Sequence, residues 1–377
     1  MNEKIQINNY FERKRKGLLK RQKVRLKHQL GWLGVPQLIP YRGFGSQATK
    51  KVHVSGSLSE DKGLEKPKEK QSLFRNILSM LKRYSGDQIP GAHVSVEFGE
   101  DLHQVITGDT GQFSTTFPLS QNYSDDPTKW MEYRVRLVDQ FEEEGKTYAV
   151  KGEILVPGND ADFGVISDID DTIMVSHSTQ MLRKLRLLLT HNSRTRKPFP
   201  GVEAFYRSLH AGENGRSANP FFYISSSEWN LYDLIDDFCS SNKFPKGVYL
   251  LREIIPGVMN LWTQGGRNHE HKYQKIMNVF ETYPGMSFVL VGDNGQHDPE
   301  IYSRVAKKFP ERIKAIYIRT ISKRKDQKMQ EYISELEKIN VQMVFTPDTI
   351  NAAQHASTFG LIQKSTVEEI ISSSMKN

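Results

Sequence analysis

"FGVISDIDDTIMVS", residues 163–176, passes from an apolar run into a cluster of acids and a hydroxyl, with Asp168, Asp170 and Asp171 inside four positions. Carboxylates crowded in this way repel one another and resist burial. The stretch therefore predicts a positive partner among them. A strand with apolar side chains at nearly every position is buried on both faces, which is the signature of a parallel sheet covered by helices. Ligands of such sheets bind beyond the carboxyl ends of the strands, and the acids stand at such an end.

Downstream the same pattern repeats. "PFFYIS" (220–225), "GVYLL" (247–251), "SFVLVG" (287–292), "IKAIYIR" (313–319) and "VQMVF" (341–345) read as further buried strands, with helical stretches between successive pairs. Polar residues follow these strands where a site would lie: Ser225 after one, Asp293 and Asp298 after another. Lys272 opens the helical run "HKYQKI". Upstream, "HVSVEF" places Val94, Val96 and Phe98 on one face and "YRVRLV" does the same with Tyr133, Val135 and Leu137, as half-buried strands of period two require. "TGDTGQF" (107–113) supplies a Gly-Asp turn of the kind that joins antiparallel strands. The chain divides into a basic amphipathic arm and lead-in (1–49), a small antiparallel β-sandwich (50–158) and an α/β domain (159–377), with "VPGND" (156–160) at the second boundary.

The 377 residues carry 52 basic against 44 acidic side chains, a net charge of +8, which suits an anionic ligand or surface. Much of that charge lies in "RKRKGLLKRQKVRLK" (13–27), which reads either as a solvated helical face or as an arm that adsorbs to anionic lipid. Nucleic acid is not an expected partner, because no recognition motif or aromatic platform accompanies the charge. The single cysteine, Cys239, excludes an intramolecular disulfide. No stretch reaches the length of apolar sequence needed to span a bilayer. The expectation is a cytoplasmic protein, peripheral at a membrane if it meets one.

In chain order these motifs give D-x-D-x-T, a strand ending in serine, a lysine and G-D-x-x-x-x-D. The ordered set resembles the haloacid dehalogenase superfamily, whose phosphatases use an aspartate nucleophile and magnesium. The first motif alone is weak, and the order adds the specificity. The resemblance implies a HAD-like Rossmannoid sheet with flanking helices. It also implies Asp168 as nucleophile, which forms an aspartyl phosphate and divides one hard hydrolysis into two displacements. Asp170 is then the general acid and base, Thr172 a brace of the loop, and Ser225 and Lys272 the holders of phosphoryl oxygens. Mg2+ is expected on Asp168, the Asp170 carbonyl and Asp293. A calcium loop does not fit, since Ile173 and Thr179 stand where its glycine and closing glutamate would be. Asp168 and Asp170 as an acidic helix cap, and Ser225 as a helix N-cap, are the structural alternatives. Asp298 reads equally as a helix cap or as support for the metal site. Arg319 reads as a phosphate contact or an ion-pair partner, and Trp229 and Tyr232 as core, with lining of the substrate site as the alternative. His269 and His271 lack a third ligand for a transition metal.

A closer resemblance covers roughly residues 160–345. "DIDDTI", "FPGV" (199–202), "SSSEWNLYD" (225–233), "HKYQKI" (271–276), "LVGDNGQHDPEIY" (290–302) and "IYIRTI" (316–321) look like the catalytic domain of the actin-patch type of phosphatidate phosphatase, and "IPYRGFG" (39–45) looks like the lead-in of bacterial members. That resemblance implies magnesium-dependent release of phosphate from phosphatidate. Glu228 departs from it, where proline is expected, which touches the substrate rim. The segment 177–202 has room for one helix and no large cap over the site, which suits a bulky or membrane-bound substrate. The competing readings are a phosphatase of soluble phosphomonoesters or phosphoproteins, and a non-catalytic scaffold that binds a membrane or partner.

Overall fold

The computed structural model describes residues 35–61, 88–120, 127–138, 149–169, 199–252, 265–321 and 326–375, with residues 22 and 26. Apart from those two positions the basic arm lies outside the described residues, as do the expected helix over 72–84, Asp170, Thr172 and residues 177–198.

Six strands form a wholly parallel sheet: β9 (Gly164–Asp168), β10 (Phe221–Glu228), β11 (Gly247–Arg252), β12 (Phe288–Asp293), β13 (Ile313–Arg319) and β14 (Met343–Thr346), in the order β11-β10-β9-β12-β13-β14. The central position of β9 puts Asp168 in the middle of the sheet's carboxyl edge. Alternate residues of each strand feed opposite cores. Val165, Phe221, Val289 and Ala315 face one side, with helices α1 (Val202–Ala211), α2 (Tyr232–Ser241), α6 (Thr349–Thr358) and α7 (Thr366–Met375). Ile166, Phe222, Leu290 and Ile316 face the other, with α3 (Gly265–Thr282), α4 (Asp298–Lys308) and α5 (Asp326–Glu337). This two-sided burial accounts for the near-continuous apolar runs in the sequence.

The remaining strands are β1 (Val35–Pro40), β2 (Gly43–Ser46), β3 (Lys51–Asp61), β4 (His93–Phe98), β5 (Asp101–Ile106), β6 (Gln112–Pro118), β7 (Lys129–Leu137) and β8 (Ala149–Val156). They form a second sheet in the order β1-β3-β2-β8-β7-β4-β5, with β6 on the other edge of β3. All these pairs are antiparallel except β2 with β8. Val52, Val54, Val94, Val96, Phe117, Tyr133 and Ile154 meet in one core. The expected turn at 107–113 connects β5 to β6 but does not make them a hairpin, since β5 pairs with β4 and β6 with β3. The turn closes locally, with Gly108 N donating to Gln112 O and Gly111 N to Gly108 O, and then delivers the chain to a different edge.

The two sheets are joined through the lead-in. Tyr41 stacks on Trp229 with ring centroids 4.3 Å apart and planes 9° from parallel. The backbone N–H of Arg42 donates to the Tyr232 hydroxyl, and its guanidinium grips both oxygens of Asp236, at 2.6 and 3.1 Å. Behind Tyr41, the Tyr133 hydroxyl donates to its carbonyl at 2.6 Å. The Tyr133 ring lies across Gly152, where any Cβ would collide with it. Arg42→Ala should therefore destabilise the protein by about 2 kcal/mol, with Asp236 left partly buried and without its fork. Denaturant titration of the variant beside wild type measures this, and an unchanged midpoint would show that the pair contributes nothing.

Candidate active site

Four of the residues singled out in the sequence converge at the carboxyl edge of the parallel sheet. Asp168 ends β9 and Asp293 ends β12, and both are fully buried. Ser225 is buried on β10, immediately after Ile224, the register partner of Asp168. Lys272 reaches in from α3. That helix begins at Gly265, so Lys272 sits in its third turn and not at its head, as the sequence had suggested.

One positive partner of Asp168 is Lys272, a residue expected from the resemblance to hold phosphoryl oxygens. Its ammonium donates to Asp168 Oδ1 at 2.8 Å and also to Asp298 Oδ1. Burial works against the charged form, but Asp168 and Asp298 overcome it and hold the ammonium well above its ordinary value. Lys272 is thus charged at any physiological pH, and the carboxylate Asp168 is fixed by one of its oxygens.

Asp298 opens α4, but its side chain does not cap that helix; His297 holds the cap position, without a side-chain bond. The second oxygen of Asp298 instead accepts the backbone N–H of Asp293 at 3.2 Å. Gly292 makes the approach possible, because a Cβ there would strike the Asp298 carboxylate. Asp293 Oδ1 in turn accepts from the N–H groups of Gly295 (2.6 Å) and Gln296 (3.1 Å). Asp298 therefore couples Lys272 to the Asp293 turn. Of the two roles open in the sequence, the geometry gives it support of the acidic cluster.

Asp168, Asp293 and Asp298 each offer an oxygen, and the three oxygens lie within 4.8 Å of one another. An all-carboxylate donor set of this size fits a hard divalent cation of the magnesium class. Among the described residues it is the group of His, Cys, Asp and Glu able to hold a metal. His271 is not part of it; burial first, then Lys275 and Arg252, push its imidazole down to about 4, so it is neutral at pH 7.

Three further findings bear on the sequence reading. Ser225 does not cap the next helix: β10 continues to Glu228, a single 3-10 turn follows at Trp229–Leu231, and Leu231 is the N-cap of α2. Trp229 and Tyr232 are core residues, as their helical spacing indicated. Arg319, the register partner of Asp293, has its guanidinium pushed down to about 10 by burial, against the pull of Tyr206, Asp348 and Asp293, and it stays charged at neutral pH. Sequence reasoning missed the brace behind Asp168, where the Ser167 hydroxyl donates to the Asp168 carbonyl at 2.8 Å and pairs with Tyr206 Oη at 2.7 Å. A hydroxyl at an inward position of an apolar strand was the available signal, but its partner lies 39 residues away.

Residues 163–320 match the family model for the catalytic domain of phosphatidate phosphatase APP1, so the resemblance carried by the motifs holds over that stretch. Phosphatidate phosphatase APP1 of Saccharomyces cerevisiae is 34% identical over 160 residues, which cover 42% of this chain and 26% of the yeast protein. An uncharacterized protein of Schizosaccharomyces pombe is 26% identical over 199 residues, 52% of this chain and 30% of its own length. The chain thus aligns with between a quarter and a third of these curated relatives. Among solved structures, a carbohydrate acetylesterase from Xanthomonas citri covers 90% of this chain and 74% of its own, at 10% identity and a TM-score of 0.27, a similarity too low to inform the fold or the site.

Proposed function

We propose that this chain hydrolyses phosphatidate to diacylglycerol and phosphate, with Asp168 taking the phosphoryl group and a magnesium ion in the acidic cluster. The observation that carries this reading is the buried set of Asp168, Lys272, Asp298 and Asp293 at the carboxyl edge of the parallel sheet, inside the stretch that matches a phosphatidate phosphatase catalytic domain. The parallel sheet is read as HAD-like. The antiparallel sheet, whose strands other than β2 feed one core, is read as a sandwich closed over it.

Lys272 orients Asp168 by one oxygen, and attack on phosphorus falls to the carboxylate so held. The Ser167–Tyr206 pair steadies the backbone at the same residue. Ser225, one position past the register partner of Asp168, is assigned to a phosphoryl oxygen. Asp170, two residues along from the nucleophile, is assigned to protonate the leaving oxygen and later to take a proton from water, and Thr172 to brace the loop. Asp168 and Asp293 would hold the ion with the Asp170 carbonyl, and Asp298 beside them anchors both Lys272 and Asp293. A bound divalent cation supplies positive charge against the carboxylates and the phosphoryl oxygens. Since phosphatidate resides in a bilayer, peripheral contact with an anionic membrane is part of the proposal; no helix among the described residues is long and apolar enough to cross one.

The test is a phosphatase panel on the full chain. Phosphatidate in mixed micelles should release phosphate with magnesium, lose at least about 100-fold of that rate in EDTA, and regain it on adding magnesium back. Strong preference for soluble phosphomonoesters would replace the lipid by a soluble substrate, and no release from any ester would leave the scaffold reading.

A further inference from the structure

Two of the motif stretches have no part in the chemistry above: "FPGV" (199–202) and the strand end in "IYIRTI" (316–321). The fold brings them into contact. Arg319 ends β13 and is the register partner of Asp293. By strand alternation both residues fall on the face of the sheet that carries Val289, Val291, Ala315 and Tyr317. The guanidinium carbon of Arg319 lies 3.2 Å from the centre of the Phe199 ring. Phe199 is itself fixed, since Val202 N donates to its carbonyl at 3.1 Å and its ring packs against the α1 side of the core.

Arg319 is half-buried. Among the described residues no carboxylate forms an ion pair with it and no carbonyl accepts from it; beside the longer-range pull of Tyr206, Asp348 and Asp293, its direct contact is the stack on Phe199. Other guanidiniums enclosed to a similar degree are satisfied: Arg42 by Asp236, and Arg312 by the carbonyls of Phe280, Tyr283 and Met286. A guanidinium has five donors, and partly buried polar groups ordinarily find acceptors. Stacking uses the face of the cation and leaves its in-plane N–H groups for a planar pair of oxygens. Charge points the same way. Asp168, Asp293 and Asp298 with Lys272 carry a formal net charge of minus two, which a divalent cation would only neutralise, and Arg319 places a further positive charge one strand away for an anion.

We propose that Arg319, seated on Phe199, is an anion-binding residue that receives phosphoryl oxygens of a phosphomonoester beside Asp293. The identity of the ligand rests on the phosphatase reading; the presence of an oxyanion site does not. Binding of inorganic phosphate to the full chain, measured by calorimetry in magnesium, tests the site without turnover. Arg319→Gln should weaken phosphate binding by about 10- to 100-fold. It should raise KM for micellar phosphatidate and for p-nitrophenyl phosphate by similar factors, with a smaller change in kcat. Arg319→Lys keeps the charge but not the fork, so a loss of about threefold to tenfold is expected. Unchanged phosphate affinity in folded Arg319→Gln overturns the proposal. If that variant does not fold, wild-type affinity in Arg319→Lys does so. A KM effect on phosphatidate alone would place Arg319 at the lipid surface and also overturn it. Should wild type hydrolyse no phosphomonoester, the phosphatase reading falls, while phosphate binding still decides on Arg319.

Discussion

Asp168→Asn should abolish phosphate release, with kcat down at least about 10,000-fold, because an amide oxygen neither attacks phosphorus as a carboxylate does nor leaves a hydrolysable acyl phosphate. The fold should survive. Asparagine has the same shape, its amide oxygen can still accept from the Lys272 ammonium 2.8 Å away, and Asp298 keeps its own bond to that ammonium. The measurement is phosphate release from micellar phosphatidate beside a circular dichroism melt of the same preparation. Activity within tenfold of wild type in a folded variant would remove Asp168 from the nucleophile's role.

Lys272→Met should have the larger effect on stability. The side chain fits the space of the lysine stem, but three carboxylates then lie within 4.8 Å of one another with no ammonium among them. Removing one partner from a buried ionic set costs about 3–5 kcal/mol, and this cluster is more heavily charged than a single pair. Denaturant titration in EDTA measures the deficit, and magnesium should restore part of it by binding the native state. The sign of the pH dependence follows from the direction of the Lys272 shift. Its native value is raised, so its contribution is fully present below the ordinary 10.5 and is lost only as pH climbs through the native value. A variant as stable as wild type in EDTA would show that the acids need no such partner.

The parallel sheet was legible because two-sided burial leaves an unbroken apolar run for each strand, and the shortness and β-branched and aromatic content of those runs favour strands over buried helices. Asp168 and Asp293 were legible for the same reason, as charges that end such runs. The role of Asp298 was not. Its approach to the Asp293 backbone depends on the missing Cβ of Gly292 and on the angle at which α4 leaves the sheet, and neither can be read from spacing. The start of α3 was misplaced because its first turn, "GGRN", opens on two glycines, which disfavour helix, and includes an asparagine. The order of the antiparallel strands was equally hidden. The turn after β5 looks like a hairpin turn locally, and only the open edge of β3, some fifty residues earlier in the chain, decides where β6 goes. Arg42 stood within the quoted lead-in "IPYRGFG" but was given no role, since nothing local marks a residue whose partners Tyr232 and Asp236 are 190 and 194 positions away.

The lead-in also belongs to both halves of the molecule in a more literal sense. Tyr41 is a member of one apolar core of the α/β unit, and Phe44 and Leu155 are members of the other, with Phe44 edge-on to Phe222 at 5.8 Å. Heating should therefore melt the two sheets together. Peeling away the smaller sheet would wet Phe222 and Trp229 in the same step, so the α/β half would lose part of the cover of both its cores.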